Sequence, residues 1–179
     1  SDLTTAINRP DLHKTSIGHM YTDFLNVEKE LILQRWDKVY HIINIDKPPN
    51  PVLDHISQEE TVRHFRTIIP DWIHADFITP EPGTSSHINA TRNLFTYLQT
   101  MNHLDNKHHY WWLEDDWHIH PHKDIFPRAI PFFSNRNDTP IAITMTHNHQ
   151  LGSFRGGPIM SGTYFRRFFN LLELGILKV

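Results

Sequence analysis

Three consecutive acids, Glu114-Asp115-Asp116, stand directly after the apolar run Tyr110-Trp111-Trp112-Leu113. Neighbouring carboxylates repel one another, so the cluster is costly unless a cation sits among them. A set of oxygen ligands suits Mg²⁺ or Mn²⁺. Alternation at a strand end puts Glu114 and Asp116 on one side and Asp115 on the other. The chain has no cysteine, which excludes disulfide frameworks and Cys-ligated metals. It holds 15 histidines. His118, His120 and His122 have a spacing that on extended backbone shares one side, which can suit zinc, although Pro121 and the adjacent acids work against an ordinary metal-site geometry. His147 and His149 follow a β-prone run and are candidates for a general base or an additional metal ligand. His108-His109 reads as a turn.

The elements that must position these residues alternate in period. Leu3–Ile7 is β-prone and stops at the turn Asn8-Arg9-Pro10. Met20, Phe24, Val27 and Leu31 form a helical stripe. Val39–Ile45 suits a strand buried on both faces, and it ends at Asp46. Ser57-Gln58-Glu59-Glu60 has capping-box spacing and opens a helix with Val62, Phe65 and Ile69 inward. Ala75–Thr79 predicts a third strand, Pro80–Ser86 a loop, and Asn89–Met101 a helix through Leu94, Leu98 and Met101. His109–Leu113 predicts a fourth strand with Trp111 and Trp112 in the core. A helix near Asp124–Phe133, a strand at Ile141–Met145, a Gly-rich turn at Gly152–Gly162 and an aromatic-rich helix at Tyr164–Leu174 complete the chain. Phe165, Phe168 and Phe169 belong to the core. Strands separated by helices imply parallel pairing with both faces covered. Ligands then bind outside the carboxyl ends of the strands, which points at Asn8-Arg9, Asp46 and Glu114–Asp116 together.

The length of 179 residues is that of one domain. Hydrophobic residues at 39%, charged residues at 21% and aromatics at 12% describe a globular chain rather than a disordered one. A net charge of −3 leaves no basic footprint for general nucleic-acid binding. No apolar stretch reaches the roughly 18–20 residues of a membrane span. Ser1-Asp2-Leu3-Thr4 lacks a basic and an apolar leader region, so no signal peptide is expected here, and with no cysteine the expected setting is cytoplasmic.

One ordered set of motifs goes further. Ala90-Thr91-Arg92-Asn93 opens an amphipathic helix, an apolar strand follows, and the acidic triplet follows that. This resembles the nucleotide-sugar-binding half of GT-A fold glycosyltransferases, especially the family 2 type, with a Glu-Asp-Asp variant of their DXD motif. Thr5-Ala6-Ile7-Asn8-Arg9-Pro10 is similar to their opening strand and turn. Asp46 stands where the family has an acid that reads the nucleotide. Gly156-Gly157-Pro158-Ile159-Met160-Ser161-Gly162 resembles the Gly-rich turn before their acceptor-side helix. Family 2 usually has Asp where this chain has Glu114. A Glu-Asp-Asp triplet also resembles the Golgi N-acetylglucosaminyltransferases that start complex N-glycans.

The resemblance implies a single-domain α/β, GT-A-like (Rossmann-like) fold, a mainly parallel sheet flanked by helices. Residues 1–117 would form the nucleotide-sugar half and 118–179 the acceptor-side half. It implies a metal-dependent transferase moving a sugar from a nucleoside diphosphate sugar, a UDP-sugar first of all, to a glycan or other hydroxyl acceptor. Asp116 would be the first metal ligand, with Glu114 as a second candidate, for Mn²⁺ or Mg²⁺. Thr5, Asn8, Arg9, Asp46, Arg92, Glu114 and Asp115 would bind the donor. Inverting members carry a catalytic acid beyond the Gly-rich turn, where this chain has only Glu173. The alternatives are a non-catalytic nucleotide- or glycan-binding module and a sugar-nucleotide pyrophosphorylase. The latter class opens with a basic Gly-rich loop that does not follow Leu3.

Overall fold

The computed structural model of the chain describes residues 2–6, 16–46, 51–81, 87–104, 107–115, 125–133, 140–143 and 159–175. The strands are β1 (Asp2–Ala6), β2 (Val39–Ile45), β3 (Ile73–Ile78), β4 (His109–Glu114), β5 (Ala142–Ile143) and β6 (Ile159–Ser161). The helices are α1 (Ile17–His19), which runs into a π-helical segment (Met20–Leu25), then α2 (Lys29–Arg35), α3 (Pro51–Ile68), α4 (His87–Thr100), α5 (Ile125–Phe133) and α6 (Gly162–Glu173). The class is mixed α/β. The strands form one sheet in the order β3-β2-β1-β4-β6-β5. The first four are parallel, and β6 is antiparallel to β4 and to β5.

Both faces of the sheet are covered. On one face Ile43, Ile45, Trp111, Leu113 and Ile159 pack with Met20, Tyr21 and Ile32, with Phe65 of α3 and with Phe126 and Phe133 of α5. On the other, Ile42, Tyr110, Trp112 and Met160 pack with Leu94, Phe95 and Leu98 of α4 and with Phe165 and Phe169 of α6. This split follows from handedness. Right-handed crossovers that move one way along the sheet, β1 to β2 to β3, lay their helices on one face. The return from β3 to β4 reverses direction and puts α4 on the other. β4 is buried through His109–Leu113, and β2 through its last five residues, as expected for parallel strands covered twice.

Phe95 is the hub of the second face. Its ring stacks on Phe165 at 4.8 Å and on Phe169 at 3.9 Å between centroids, and Phe165 stacks in turn on Tyr110 at 4.1 Å. Phe95→Ala is expected to cost about 3–5 kcal/mol, the range for removing a buried phenyl ring. Urea unfolding of the variant and the parent measures it. A loss under about 1 kcal/mol would contradict this packing.

Several sequence expectations are corrected. Val27 is 76% exposed, while Leu25 and Ile32 are buried. The cause is the π turn, in which the Asn26 N–H reaches back to the Tyr21 carbonyl at 2.9 Å. The wider turn rotates Val27 out of the stripe and brings Ile32 in, while Leu31 stays partly buried against the core. Met101 is also exposed, because α4 ends at Thr100 and Asn102 adopts a left-handed φ of 54°. The helix expected to open at Ser57 begins at Pro51, a residue favoured in the first helical turn, and Ser57 lies inside it. His109 is not in a turn. It is the first residue of β4 and is buried. The Gly-rich turn does not extend to Gly162, because Ile159–Ser161 forms β6 and Gly162 starts α6. Ser161 caps that helix, accepting the Tyr164 N–H at 3.3 Å, and also accepts the Ile141 N–H at 2.9 Å.

Candidate functional site

A parallel sheet collects the polar residues that trail its strands along one edge. Here the chain order of the strands reverses between β1 and β4, so the crevice of an open α/β sheet falls at their carboxyl ends. Register places the candidates on that edge. Thr5 of β1 lies level with Asn44 of β2 on one side and with Glu114 of β4 on the other. Ala6 pairs with Ile45, and Asp46 follows directly. The ends of β2 and β4 are two strand spacings apart, about 10 Å. Asp46 and Glu114–Asp115 therefore flank the end of β1 and do not lie on opposite edges.

Asp46 is held by a chain of amides. Asn44, fully buried, donates from Nδ2 to Asp46 Oδ1 at 3.0 Å. Asn93 of α4 donates from its Nδ2 to Asn44 Oδ1 at 3.2 Å. The polarity of this relay is fixed by chemistry, since a carboxylate can only accept. Asn44 must turn its NH₂ to Asp46, so its oxygen faces Asn93, which must in turn donate. Neither Asn44 nor Asn93 was among the sequence candidates. The available signal was a lone amide inside the apolar run Val39–Ile45, two residues before an acid. Gln58 ties the same strand end to α3, its amide donating to the Ile45 carbonyl at 3.1 Å and to the Pro80 carbonyl at 3.4 Å.

The acidic turn is anchored on the other side. Asp115 is buried at 4% exposure, and its carbonyl accepts the Ser16 hydroxyl at 2.6 Å. Ser16 is itself fully buried and just precedes α1. This bond ties the chain returning from β1 to the end of β4. Glu114 is half-buried. Arg92 lies on the exposed stripe of α4 with Thr96 and Gln99, and the neighbouring face of the helix presents Asn93 to β2 instead. Glu173 is exposed at the last residue of α6. Asn8, Arg9, Asp116, His118, His120, His122, His147 and His149 lie outside the described residues, and so does Gly156-Gly157-Pro158.

Two histidines inside the sheet are electrically silent at neutral pH. Burial pushes the His41 imidazole down to about 3, and its Nδ1 shares a hydrogen bond with the Tyr21 hydroxyl. Burial, reinforced by the Arg35 guanidinium, lowers His109 to about 4, and its Nδ1 accepts the Trp36 indole N–H at 2.9 Å. On α4, Tyr97 is pushed up to about 12 by burial and by its bond to the Asp76 carboxylate. These are structural groups. A cavity of about 380 Å³ opens beside His109, lined by Trp36, Val39, Tyr40, Trp111 and Phe126 among others. It lies at the amino-terminal edge of the sheet, and none of the candidate site residues lines it.

Among the described residues no group of three or more His, Cys, Asp or Glu side chains could hold a metal ion. The donors present at the end of β4 are carboxylate oxygens, which fit a hard divalent ion. Again among the described residues, no helix is long and apolar enough to cross a membrane. Compared with protein-family models, with curated proteins and with solved structures, the chain gives no match.

Proposed function

We propose that the chain is a metal-dependent glycosyltransferase of GT-A-like, Rossmann-like fold that uses a nucleoside diphosphate sugar, with UDP as the nucleotide. The observation that carries this reading is the convergence of Asp46 and Glu114–Asp115 on the two sides of β1, at the point where strand order reverses. A nucleotide laid across this crevice meets acceptor oxygens at one end and an acidic cluster at the other. Asp46 would accept the N–H of the base. Glu114 and Asp115 would take hydroxyls of the ribose and the sugar, and Thr5, Asn8 and Arg9 would line the floor at the end of β1. Arg92 would need to reach over from its exposed face to pair with a phosphate.

Asp116, with Glu114, would hold Mn²⁺ or Mg²⁺, which when bound neutralises the diphosphate and the charge developing on the leaving oxygen. The acceptor hydroxyl must lose its proton as it attacks the anomeric carbon, and His147 or His149 is the candidate base.

Titration calorimetry with UDP, in Mn²⁺ and in chelator, tests the reading. Binding in Mn²⁺ and at least tenfold weaker binding in chelator are expected, a difference of about 1.4 kcal/mol. Equal affinity in the two buffers would remove the metal from the site. Transfer of labelled sugar from UDP-sugar to a hydroxyl acceptor separates the transferase from a non-catalytic binding module. Release of pyrophosphate would identify a pyrophosphorylase.

A further inference from the structure

We infer that Asn93 is a positioning residue that acts through Asn44 to aim the Asp46 carboxylate at the nucleobase, and so sets the preference for uracil over cytosine. The inference rests on the reading of this edge as a nucleotide site. Its own basis is the relay: Asn93 Nδ2 to Asn44 Oδ1 at 3.2 Å, and Asn44 Nδ2 to Asp46 Oδ1 at 3.0 Å.

Asn44 is fully buried, so its amide has no water to turn to, and each of its ends needs a protein partner. One end takes Asn93 and the other takes Asp46. The carboxylate is thereby tied through one named oxygen to a side chain that cannot rotate without losing a bond at its far end. Asn93 lies on α4, which packs against β2 and β3, so the relay ties this helix to the Asp46 side of the crevice. Uracil offers an N3–H donor where cytosine offers an N3 lone pair. A carboxylate held in one orientation rewards the first and repels the second, while one free to swing discriminates less.

The relay has a polarity, and the test uses it. Asn93→Ala removes the donor and leaves Asn44 Oδ1 without that partner. Asn93→Asp is nearly isosteric but presents an acceptor. The Asn44 amide must then flip to give its NH₂ to the new carboxylate, and its oxygen is turned against Asp46. If Asn93 merely fills space, the isosteric Asp is the milder change. If it aims Asp46, the Asp is the more severe.

The experiment is calorimetry of UDP and of CDP in Mn²⁺ on the full chain, for the parent, Asn93→Ala and Asn93→Asp, with a melting curve for each. The parent should prefer UDP by at least about tenfold. The UDP-to-CDP ratio should fall about threefold in Asn93→Ala and by about tenfold or more in Asn93→Asp. Asn93→Asp should melt somewhat below the parent, because the flip sets a buried amide oxygen against a carboxylate, but should still unfold in one cooperative transition. Unchanged selectivity in folded Asn93→Asp, with UDP still bound, overturns the role of Asn93 alone. A weaker effect of Asp than of Ala does the same. Failure of the parent to bind UDP overturns the nucleotide-site reading and this inference with it.

Discussion

Asp116→Ala is expected to reduce sugar transfer by on the order of a thousandfold, the scale of removing a principal stabiliser of developing charge. Asp115→Ala should reduce it less. The proposed roles differ: the first supplies a ligand to the divalent ion and the second a hydrogen bond to the donor. Both proteins should remain folded. The bond from the Ser16 hydroxyl to the Asp115 carbonyl does not depend on the carboxylate. Removing Asp116 also relieves like-charge repulsion within the triplet, so apo stability of that variant should be unchanged or slightly raised, whereas truncating the buried Asp115 should cost some stability. Initial rates with saturating donor and Mn²⁺, together with a melting curve, provide the test. Near-parental turnover in Asp116→Ala would count decisively against the assignment.

A second large effect is expected in acid. His41 has its pKa lowered to about 3 and His109 to about 4 in the folded protein, chiefly by burial. In the unfolded chain each titrates near 6.5. Between those values the unfolded chain binds protons that the folded chain refuses, so stability rises with pH through this window. It is fully present above about pH 7 and drains away as the pH falls from 6.5 toward 4. Each histidine adds a slope of about 1.4 kcal/mol per pH unit where only the unfolded chain is protonated, a large effect beside the marginal stability of a domain. Urea midpoints between pH 7.5 and 4.5 should fall steeply, and His41→Gln should show a shallower fall. A midpoint independent of pH in this range would show that both imidazoles protonate in place.

The parallel half of the sheet was legible in the sequence because its strands are buried on both faces. Val39–Ile45 is a mostly apolar run that holds His41 and Asn44 as its polar members, and β2 has those bounds. The edge on which Asp46 and Glu114–Asp115 meet was legible too, since strand alternation and the carboxyl-end rule fix it without any side-chain detail. What escaped was set by tertiary contacts. The start of α3 at Pro51 is masked by a local capping pattern at Ser57. β6 has three residues, too few to display a period, and exists because it pairs with both β4 and β5. The phase slip at Met20–Leu25 comes from backbone bonding of π type. Asn93 was passed over for its neighbour Arg92, because charge is conspicuous in a sequence. A neutral amide becomes significant only when a second amide, from another element, is seen to need it.

The central place of β1 bears on how the molecule reaches this shape. β1 precedes both of its partners in the chain, yet it is finally bonded on each side. Asp2 must find His41 and also Trp111. The second meeting closes a loop of roughly a hundred residues, whose entropy is lost before the sheet returns anything for it. Until β4 arrives, β1 and β2 offer an unsatisfied parallel edge to any extended chain nearby. High contact order of this kind slows folding and lengthens the exposure of sticky intermediates. Mutations that weaken β4 or its cover, Phe95 and Phe165 among them, should therefore lower soluble yield more than their equilibrium cost suggests. Yield should recover when the polypeptide is made slowly or at lower temperature.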